Sequence, residues 1–221
     1  MNIGAKETCD YILLILNCHK YRHKAIRQKE GWLKELSNIP NIRYYHIVGN
    51  IDDDTKDEYR FDDAENILHV SCPDDYISLS KKIIMAIKAI HTRFDYKYIF
   101  KTDDDRDLSD PHFFNKLIPV CEQYKPNYGG YILIIPEHYS NLWSTHPELP
   151  KDILLESTSY ASGHFYLLSV RAVEYLLKSY DKIWERIIED HAIGYYLSPD
   201  LNKLNVLGIP TEQLFVDYPE E

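Results

Sequence analysis

The sequence lacks the features that mark several common classes of protein. Its four cysteines are scattered, with no CxxC pair and no zinc-ligand spacing, so neither a disulfide framework nor a zinc site is predicted. No Asn-x-Ser/Thr sequon occurs, and the longest apolar run, Tyr11–Leu16, is far too short to span a bilayer. The first residues show no signal-peptide pattern. We therefore expect free thiols, no membrane segment and a soluble protein of the cytoplasm.

Basic residues are too few for a general nucleic-acid-binding protein. The chain has 35 acidic residues against 25 lysines and arginines, a formal charge of −10, whereas such proteins need a basic face. A nucleotide is still a feasible ligand, because a metal ion can neutralise its phosphates. Glycine is also scarce, at eight residues, and no Gly-rich basic loop that could cradle a triphosphate occurs near residue 18.

The order of apolar segments predicts one α/β domain. Its 221 residues with 44% hydrophobic content suit a single domain with a substantial core. Strand-length apolar runs alternate with segments of helical spacing, which predicts a mainly parallel central sheet flanked by helices. The predicted strands are residues 10–17, 43–48, 66–72, 98–100, 128–135, 159–169 and 204–216. The predicted helices are 22–37, 76–94, 109–123 and 170–180. Residues 183–197 are predicted to be a helix or turn, and residues 51–65 a loop or a weakly ordered insertion.

Residues 96–110 combine a short apolar run with three successive carboxylates. Asp103, Asp104 and Asp105 follow the predicted strand closely, and Pro111 stands where we predict a helix to begin. Ligands of open α/β sheets bind at loops that follow the carboxyl ends of strands. Carboxylates there suit Mg²⁺ or Mn²⁺, which prefer oxygen ligands and often share them with substrate phosphates. A solvated acidic turn that caps the next helix is the alternative.

Four blocks within residues 11–197 follow the motif order of a known enzyme family. The blocks are Arg22 and Arg27 with Trp32; Asp74-Asp75-Tyr76 with Lys82; Lys101-Thr102-Asp103-Asp104-Asp105; and Tyr160 and Gly163 with Glu189-Asp190 and Gly194. Each block alone is weak, because a run of aspartates is common. In this order they resemble glycosyltransferase family 31, the group of β-1,3-galactosyltransferases, N-acetylglucosaminyltransferases and Fringe.

The resemblance implies a GT-A fold, which is Rossmann-like, and an inverting transfer of a sugar from a UDP-sugar to a glycan hydroxyl. It implies Mn²⁺ (or Mg²⁺) held by Asp103 and Asp105, with Asp190 as the catalytic base. The donor-binding residues that it implies are Arg22, Arg27, Asp74, Tyr76, Lys82, Lys101, Asp103, Asp104 and Gly163. The single domain would then have a donor half, about residues 10–107, and an acceptor half, about residues 108–221.

Ordinary structural roles are open for the same residues. Arg27 and Lys101 could form internal ion pairs, Asp74 could cap a helix, and Lys82 could be a solvated helix residue. Glu189-Asp190 could be a charged helix face.

The metal ligands and the acceptor site are less well defined in the sequence. Family members commonly use a histidine late in the sequence as an additional metal ligand, but no histidine follows His191 here. Water or His191 itself is then the candidate for this ligand. Residues 136–150 hold Tyr139 and Trp143 with two histidines, His138 and His146, and could stack on an acceptor sugar, although Trp143 could equally be core.

Two other functions compete with glycosyl transfer. The first is a glycan- or nucleotide-binding module that has kept the fold and lost turnover. The second is a nucleotidyltransferase, which uses a similar acidic site and releases pyrophosphate, but the missing Gly-rich loop speaks against it.

Overall fold

The computed structural model describes residues 5–49, 57–199 and 204–218, which form an α/β fold as predicted. The strands are β1 (Glu7–Thr8), β2 (Tyr11–Leu16), β3 (Ile42–Gly49), β4 (Tyr59–Asp62), β5 (Ile67–Val70), β6 (Phe94–Asp95), β7 (Tyr98–Asp103), β8 (Arg106–Leu108), β9 (Tyr128–Ile135), β10 (His138–Tyr139), β11 (Leu154–Leu155), β12 (Thr158–Ser169), β13 (Val206–Gly208) and β14 (Phe215–Asp217). The helices are α1 (Arg22–Glu30), α2 (Leu79–Arg93), α3 (Phe113–Tyr124), α4 (Val170–Leu177), α5 (Tyr180–Trp184), α6 (Glu189–Leu197) and α7 (Thr211–Leu214).

A central sheet organises the fold. Its eight strands among the described residues have the order β13-β9-β12-β7-β2-β3-β5-β4. Strands β7, β2, β3 and β5 are parallel, whereas β12 is antiparallel to both β7 and β9, and β4 is antiparallel to β5. The predicted parallel sheet is therefore confirmed at the centre, and the sheet is mixed towards both margins. In register, Leu16 lies opposite both Ile47 and Asp103, so the carboxyl ends of β2, β3 and β7 share one edge.

Each face of the sheet buries its own hydrophobic cluster, because side chains alternate along a strand. Strand β2 is buried throughout and contributes Ile12 to one cluster and Leu13 to the other. Helix α2 covers the first cluster with Ile83 and Ile87, and Phe114 of α3 packs into the second. Full burial of such a side chain contributes about 1.5–3 kcal/mol. The central strands are thereby fixed between two packed layers.

The first helix is shorter than predicted. The predicted helix 22–37 ends at Glu30, because Gly31 adopts a non-helical backbone with φ −98° and ψ −126°. Trp32–Asn38 then forms a 3-10 helix, which still buries its apolar residues against the second cluster.

The helix after the acidic run also begins later than predicted. The predicted helix 109–123 starts at Phe113, so Pro111 is not its first residue. Asp110 accepts the N–H of His112 at 3.0 Å, which holds this stretch in a turn. The predicted helix start at residues 109–111 is therefore wrong, and the helix begins after this turn.

Three other segments differ from the predictions. The predicted loop 51–65 contains β4, and its residues 51–56 lie outside the described ranges. The segment 183–197, predicted to be a helix or turn, is divided: α5 ends at Trp184, and α6 fills the second half. In the predicted strand 204–216, Pro210 separates β13 from α7, because proline cannot donate a ladder hydrogen bond.

The cysteines agree with the sequence prediction. All four are free thiols, and burial raises the pKa of Cys72 to about 11. Across the described ranges, we find no helix with the length and apolarity needed to cross a membrane.

Gly194 allows α6 to lie directly on β12. A β-carbon here would overlap that of Tyr160 and lie 2.8 Å from the Ser159 carbonyl oxygen. We predict that Gly194→Ala lowers the free energy of unfolding by about 3 kcal/mol or more, because α6 must move off the sheet. Urea denaturation measures the change.

Gly208→Ala is the matched control. A β-carbon on Gly208 would have no described atom within 4 Å, so we expect a change below about 0.5 kcal/mol. Equal unfolding midpoints for the two variants would show that α6 does not need the glycine contact.

Candidate active site

The acidic loop lies at the shared carboxyl edge of the parallel strands, as predicted. Strand β7 ends at Asp103, and Asp104 and Asp105 form the turn into β8. Gln28 of α1 supports this turn. Its buried side chain donates hydrogen bonds to the carbonyl oxygens of Asp103 and Arg106, at 3.0 Å each. Gln28 was not among the predicted site residues, because an uncharged side chain in a helix carries no signal of this contact.

The middle carboxylate of the loop faces inward. Asp104 accepts a hydrogen bond from Asn17 Nδ2 at 2.6 Å, and Lys24 Nζ lies 3.6 Å from its other oxygen. Burial raises the pKa of Asp104 to about 6, although Lys24 partly offsets this. Asp104 therefore ties the acidic loop to the β2–α1 loop, and its predicted contact with the donor stays a prediction.

Lys101, Asp103, Gly163 and Asp190 converge in one cluster. A β-carbon built on Gly163 would lie 3.4 Å from Asp190 Oδ2, 3.5 Å from Lys101 Nζ and 3.7 Å from Asp103 Oδ2. These residues come from β7, β12 and the first turn of α6. The structure thus brings together four of the predicted site residues from three separate segments of the chain.

Asp190 is held by backbone amides. Its Oδ2 accepts the N–H of Gly163 at 3.0 Å, and its Oδ1 accepts the N–H of His191 at 2.8 Å. Burial raises the pKa of Asp190 above its ordinary value, and the nearby charge of Lys101 acts in the opposite direction. A carboxylate with a raised pKa is a better proton acceptor than an ordinary aspartate.

Glu189 lies beside this carboxylate and is fully enclosed. It accepts a hydrogen bond from the Tyr166 hydroxyl and lies 3.2 Å from Lys101 Nζ. Burial raises the pKa of Glu189 to about 7, against the effect of Lys101.

Tyr76 forms part of the rim of the cluster. Burial, together with the charges of Asp103 and Asp190, raises the pKa of the Tyr76 phenol to about 12. Its ring stacks on His146 with centroids 4.1 Å apart and planes at 18°. Residues 136–150 therefore reach the site through His146.

Asp74 and Lys82 form a second cluster, which joins three loops. Asp74 accepts N–H groups from His19 at 2.7 Å and Gly49 at 2.8 Å, together with Lys82 Nζ at 2.7 Å. Lys82 is buried and also donates to the carbonyl oxygen of Asn17 at 2.8 Å. These contacts are internal to the protein and position the loops, and a direct contact of either residue with the donor stays a prediction.

The two predicted arginines lie on α1, outside β7, β12 and α6, which supply the Asp103–Asp190 cluster. Arg22 is exposed at the first residue of α1. The guanidinium of Arg27 lies 3.5 Å from the ring centroid of Tyr218, near the carboxyl end of the chain. Tyr218 in turn donates its backbone N–H to the carbonyl oxygen of Asp105 at 3.3 Å. The tail thus reaches the acidic loop, a contact that no sequence motif indicated.

The aromatic residues of the 136–150 segment are accessible. Tyr139 is 65% exposed, and Trp143 is 38% exposed with Lys151 Nζ 4.7 Å from its ring centroid. Trp143 is therefore not a core residue.

The residues of the acidic loop fit a divalent cation that is shared with a substrate. Within the described ranges, no three His, Cys, Asp or Glu side chains are grouped to hold a metal by themselves. However, Mg²⁺-like cations are often bound by one or two carboxylates together with phosphates. Asp105 Oδ1 is shielded and has no hydrogen-bond partner among the described residues, with Arg106 Nε 3.2 Å away. Asp103 and Asp105 thus supply suitable oxygens.

His191 is not placed to complete that set. It is buried, and its Nε2 lies 2.9 Å from the carbonyl oxygen of Glu156. Its ring packs between Tyr160 and Tyr195. The hypothesis that His191 replaces the late family histidine is therefore not supported by its contacts.

Comparison with known proteins assigns the family. A family profile described as Galactosyltransferase matches residues 21–202. The chain belongs to the galactosyltransferase family. This confirms the resemblance found in the four sequence blocks, and the protein is a glycosyltransferase. No curated protein matches the sequence significantly.

A solved glycosyltransferase structure agrees with the fold of this galactosyltransferase-family protein. A glycosyltransferase involved in the glycosylation of the major capsid of PBCV-1 is similar at a TM-score of 0.52 and 12% identity, covering 96% of this chain and 94% of that one. Two 2-C-methyl-D-erythritol 4-phosphate cytidylyltransferases have lower scores. The Francisella tularensis enzyme gives 0.46 at 13% identity, covering 96% and 94% of the two chains. The Thermus thermophilus enzyme gives 0.45 at 10% identity, covering 94% and 92%. Scores below 0.5 add nothing to the fold assignment.

Lys82 provides a test of the loop cluster. We predict that Lys82→Met lowers the free energy of unfolding by about 3–5 kcal/mol, because Asp74 would be left without its buried partner. Chemical denaturation measures the change. Lys88→Met on the same helix is the control, because Lys88 is 38% exposed and pairs with Glu58 at the surface. We expect it to cost less than about 1 kcal/mol. Similar losses for both variants would argue against the buried Asp74–Lys82 pair as a support of the loops.

Proposed function

We propose that this galactosyltransferase-family protein is a metal-dependent, inverting enzyme that transfers a sugar from a UDP-sugar to a hydroxyl group of a glycan. The convergence of Asp103 and Asp190 at Gly163 carries the proposal. This arrangement places the acidic loop, which could bind a cation and phosphates, next to the desolvated carboxylate of Asp190, which could accept a proton. An inverting transfer needs these two groups on either side of the anomeric carbon.

Asp190 is the proposed base. The acceptor hydroxyl gives its proton to the carboxylate as its oxygen attacks the anomeric carbon, and the bond from that carbon to the UDP oxygen breaks. Attack opposite the leaving group inverts the anomeric configuration. The two amides that hold Asp190, from Gly163 and His191, fix the carboxylate in place, and burial keeps its pKa raised.

Asp103 and Asp105 would hold Mn²⁺ or Mg²⁺. When bound, such a cation neutralises the charge of the departing diphosphate. The position of both carboxylates at the sheet edge supports this assignment, and Asp105 Oδ1, which lies 3.2 Å from Arg106 Nε, accepts no hydrogen bond within the described residues. Asp104, locked to Asn17, would keep the loop in shape.

The chain would work as one domain with a donor half, about residues 10–107, and an acceptor half, about residues 108–221. Tyr76 would border the donor sugar at the rim of the cluster. Arg22 and Arg27, on α1, would contact a part of the donor away from the transferred sugar. The exposed rings of Tyr139 and Trp143 would offer the acceptor glycan a surface for stacking.

A screen of UDP-sugars with Mn²⁺ and glycan acceptors tests the proposal. We expect UDP release with at least one donor, and product with inverted anomeric configuration by NMR. Asp190→Asn should lower kcat by about 10²–10⁴-fold, because the amide cannot accept the proton, while donor KM stays within about threefold.

Asp95→Asn is the matched control, because Asp95 is exposed in β6 near the amino end of β7, opposite the acidic loop. It should leave kcat unchanged. Retention of configuration, or full activity of Asp190→Asn, would contradict the mechanism. A lack of turnover with every donor would favour a binding module.

A further inference from the structure

Lys101 is a buried lysine whose ammonium group is surrounded by acceptors of the protein itself. It lies in β7, two residues before Asp103, and its side chain is 1% exposed. Its ammonium group has three N–H donors. Three acceptors surround it: Asp103 Oδ1 at 2.8 Å, the carbonyl oxygen of Gly163 at 2.9 Å and Glu189 Oε2 at 3.2 Å. A direct contact with a phosphate would require it to give up one of these.

The three acceptors belong to three different elements. Asp103 ends β7, Gly163 lies in β12 where the pairing with β9 changes register, and Glu189 begins α6. The backbone of residues 162–165 is therefore not fixed by regular pairing with β9. Lys101 holds this irregular stretch from one side through the carbonyl oxygen of Gly163.

Gly163 connects Lys101 to Asp190, the proposed base, through two hydrogen bonds. Its carbonyl oxygen accepts from Lys101, and its N–H donates to Asp190 Oδ2 at 3.0 Å. A single residue thus links the ammonium to the carboxylate. The same ammonium holds Asp103 directly, on the metal side of the site.

We propose that Lys101 is a positioning residue, which sets Asp190 through Gly163 and sets Asp103 by direct contact, and that it does not bind the donor phosphates. The part that concerns catalysis rests on the proposed function. The ammonium group of Lys101 lies between the carboxylates of Asp103 and Glu189. Lys101 is thus a fixed internal cation among carboxylates that would otherwise repel one another.

The test must separate positioning from simple loss of stability. Lys101→Met alone leaves Glu189 and Asp103 unpaired and could unfold the protein. The double variant Lys101→Met/Glu189→Gln removes the buried ammonium together with one buried carboxylate, which relieves that penalty. Lys97→Met is the matched control, because Lys97 adjoins the same strand but is 46% exposed and pairs with surface carboxylates.

Amide hydrogen exchange at Gly163 decides the claim without any donor. In the folded double variant, we expect the Gly163 amide to exchange at least tenfold faster than in the unaltered protein. The amides of Leu167 and Leu168, further along β12 and paired with β7, should keep their rates, as should every amide in Lys97→Met. Unchanged protection of Gly163 would overturn the proposal.

Kinetics with an active donor extend the test. We expect kcat of the double variant to fall about 100-fold with donor KM within about threefold, because Asp190 is misplaced. A rise in the donor KM of the double variant, with kcat retained, would instead mean that Lys101 binds the donor. A double variant with the stability and the kcat of the unaltered protein would mean that the role of Lys101 is only structural. If the unaltered protein turns over no donor, the proposed function fails, whereas exchange at Gly163 still decides the role of Lys101.

Discussion

Buried ammonium groups hold the loops at the carboxyl edge of the parallel strands. Carboxylates that lie close together repel one another, and burial removes the water that would screen them. Lys82 provides the opposing charge beside Asp74, and Lys101 does so among Asp103 and Glu189, each with its side chain 1% exposed. Removal of Lys101 leaves the buried Glu189 without a counter-charge, and removal of Lys82 does the same for the partly buried Asp74. The two lysines therefore fix the loop geometry before any ligand arrives. Such preorganisation is what a transfer reaction requires of its site.

Backbone contacts complete the same arrangement. Gly49 and Gly194 allow chain segments to approach so closely that a β-carbon would collide with a neighbouring backbone. The first brings β3 onto the loop of Asp74, and the second seats α6, with Asp190 at its start, on β12. The carboxyl-terminal strand β14 pairs with β8 directly after the acidic turn. Close backbone packing and the lysine–carboxylate pairs thus stabilise the same few loops.

Much of the fold could be predicted from the sequence, because several of its strands contain apolar runs, such as Tyr11–Leu16 in β2. Tyr128–Ile135 has the predicted bounds, and the three aspartates lie at a strand end as predicted. The predicted bounds were wrong where a local turn interrupts a regular pattern, as at Gly31 and Pro111. The strand 59–62 was missed because its alternation of apolar and polar residues covers only four positions within an acidic segment.

The site was only partly predictable, for a physical reason. Motifs located its charged residues, but the partner of each is set by contacts between distant segments. Lys101 reaches Gly163, which lies 62 positions further along the chain, and Glu189 beyond it. Gln28 and Tyr218 support the acidic loop through backbone carbonyl groups, which no sequence motif records.

Calorimetric titration with UDP tests the central claim most directly, which is that the acidic loop binds a nucleotide through a divalent cation. The titration is made with Mn²⁺ and with a chelator, on the unaltered protein and on Asp105→Asn. We predict binding with Mn²⁺ that weakens at least tenfold with the chelator, because the carboxylates and the diphosphate then face each other without a cation. We expect a similar loss in Asp105→Asn, because the amide is a poorer ligand for the cation than a carboxylate. UDP binding of equal strength under all these conditions would contradict the account.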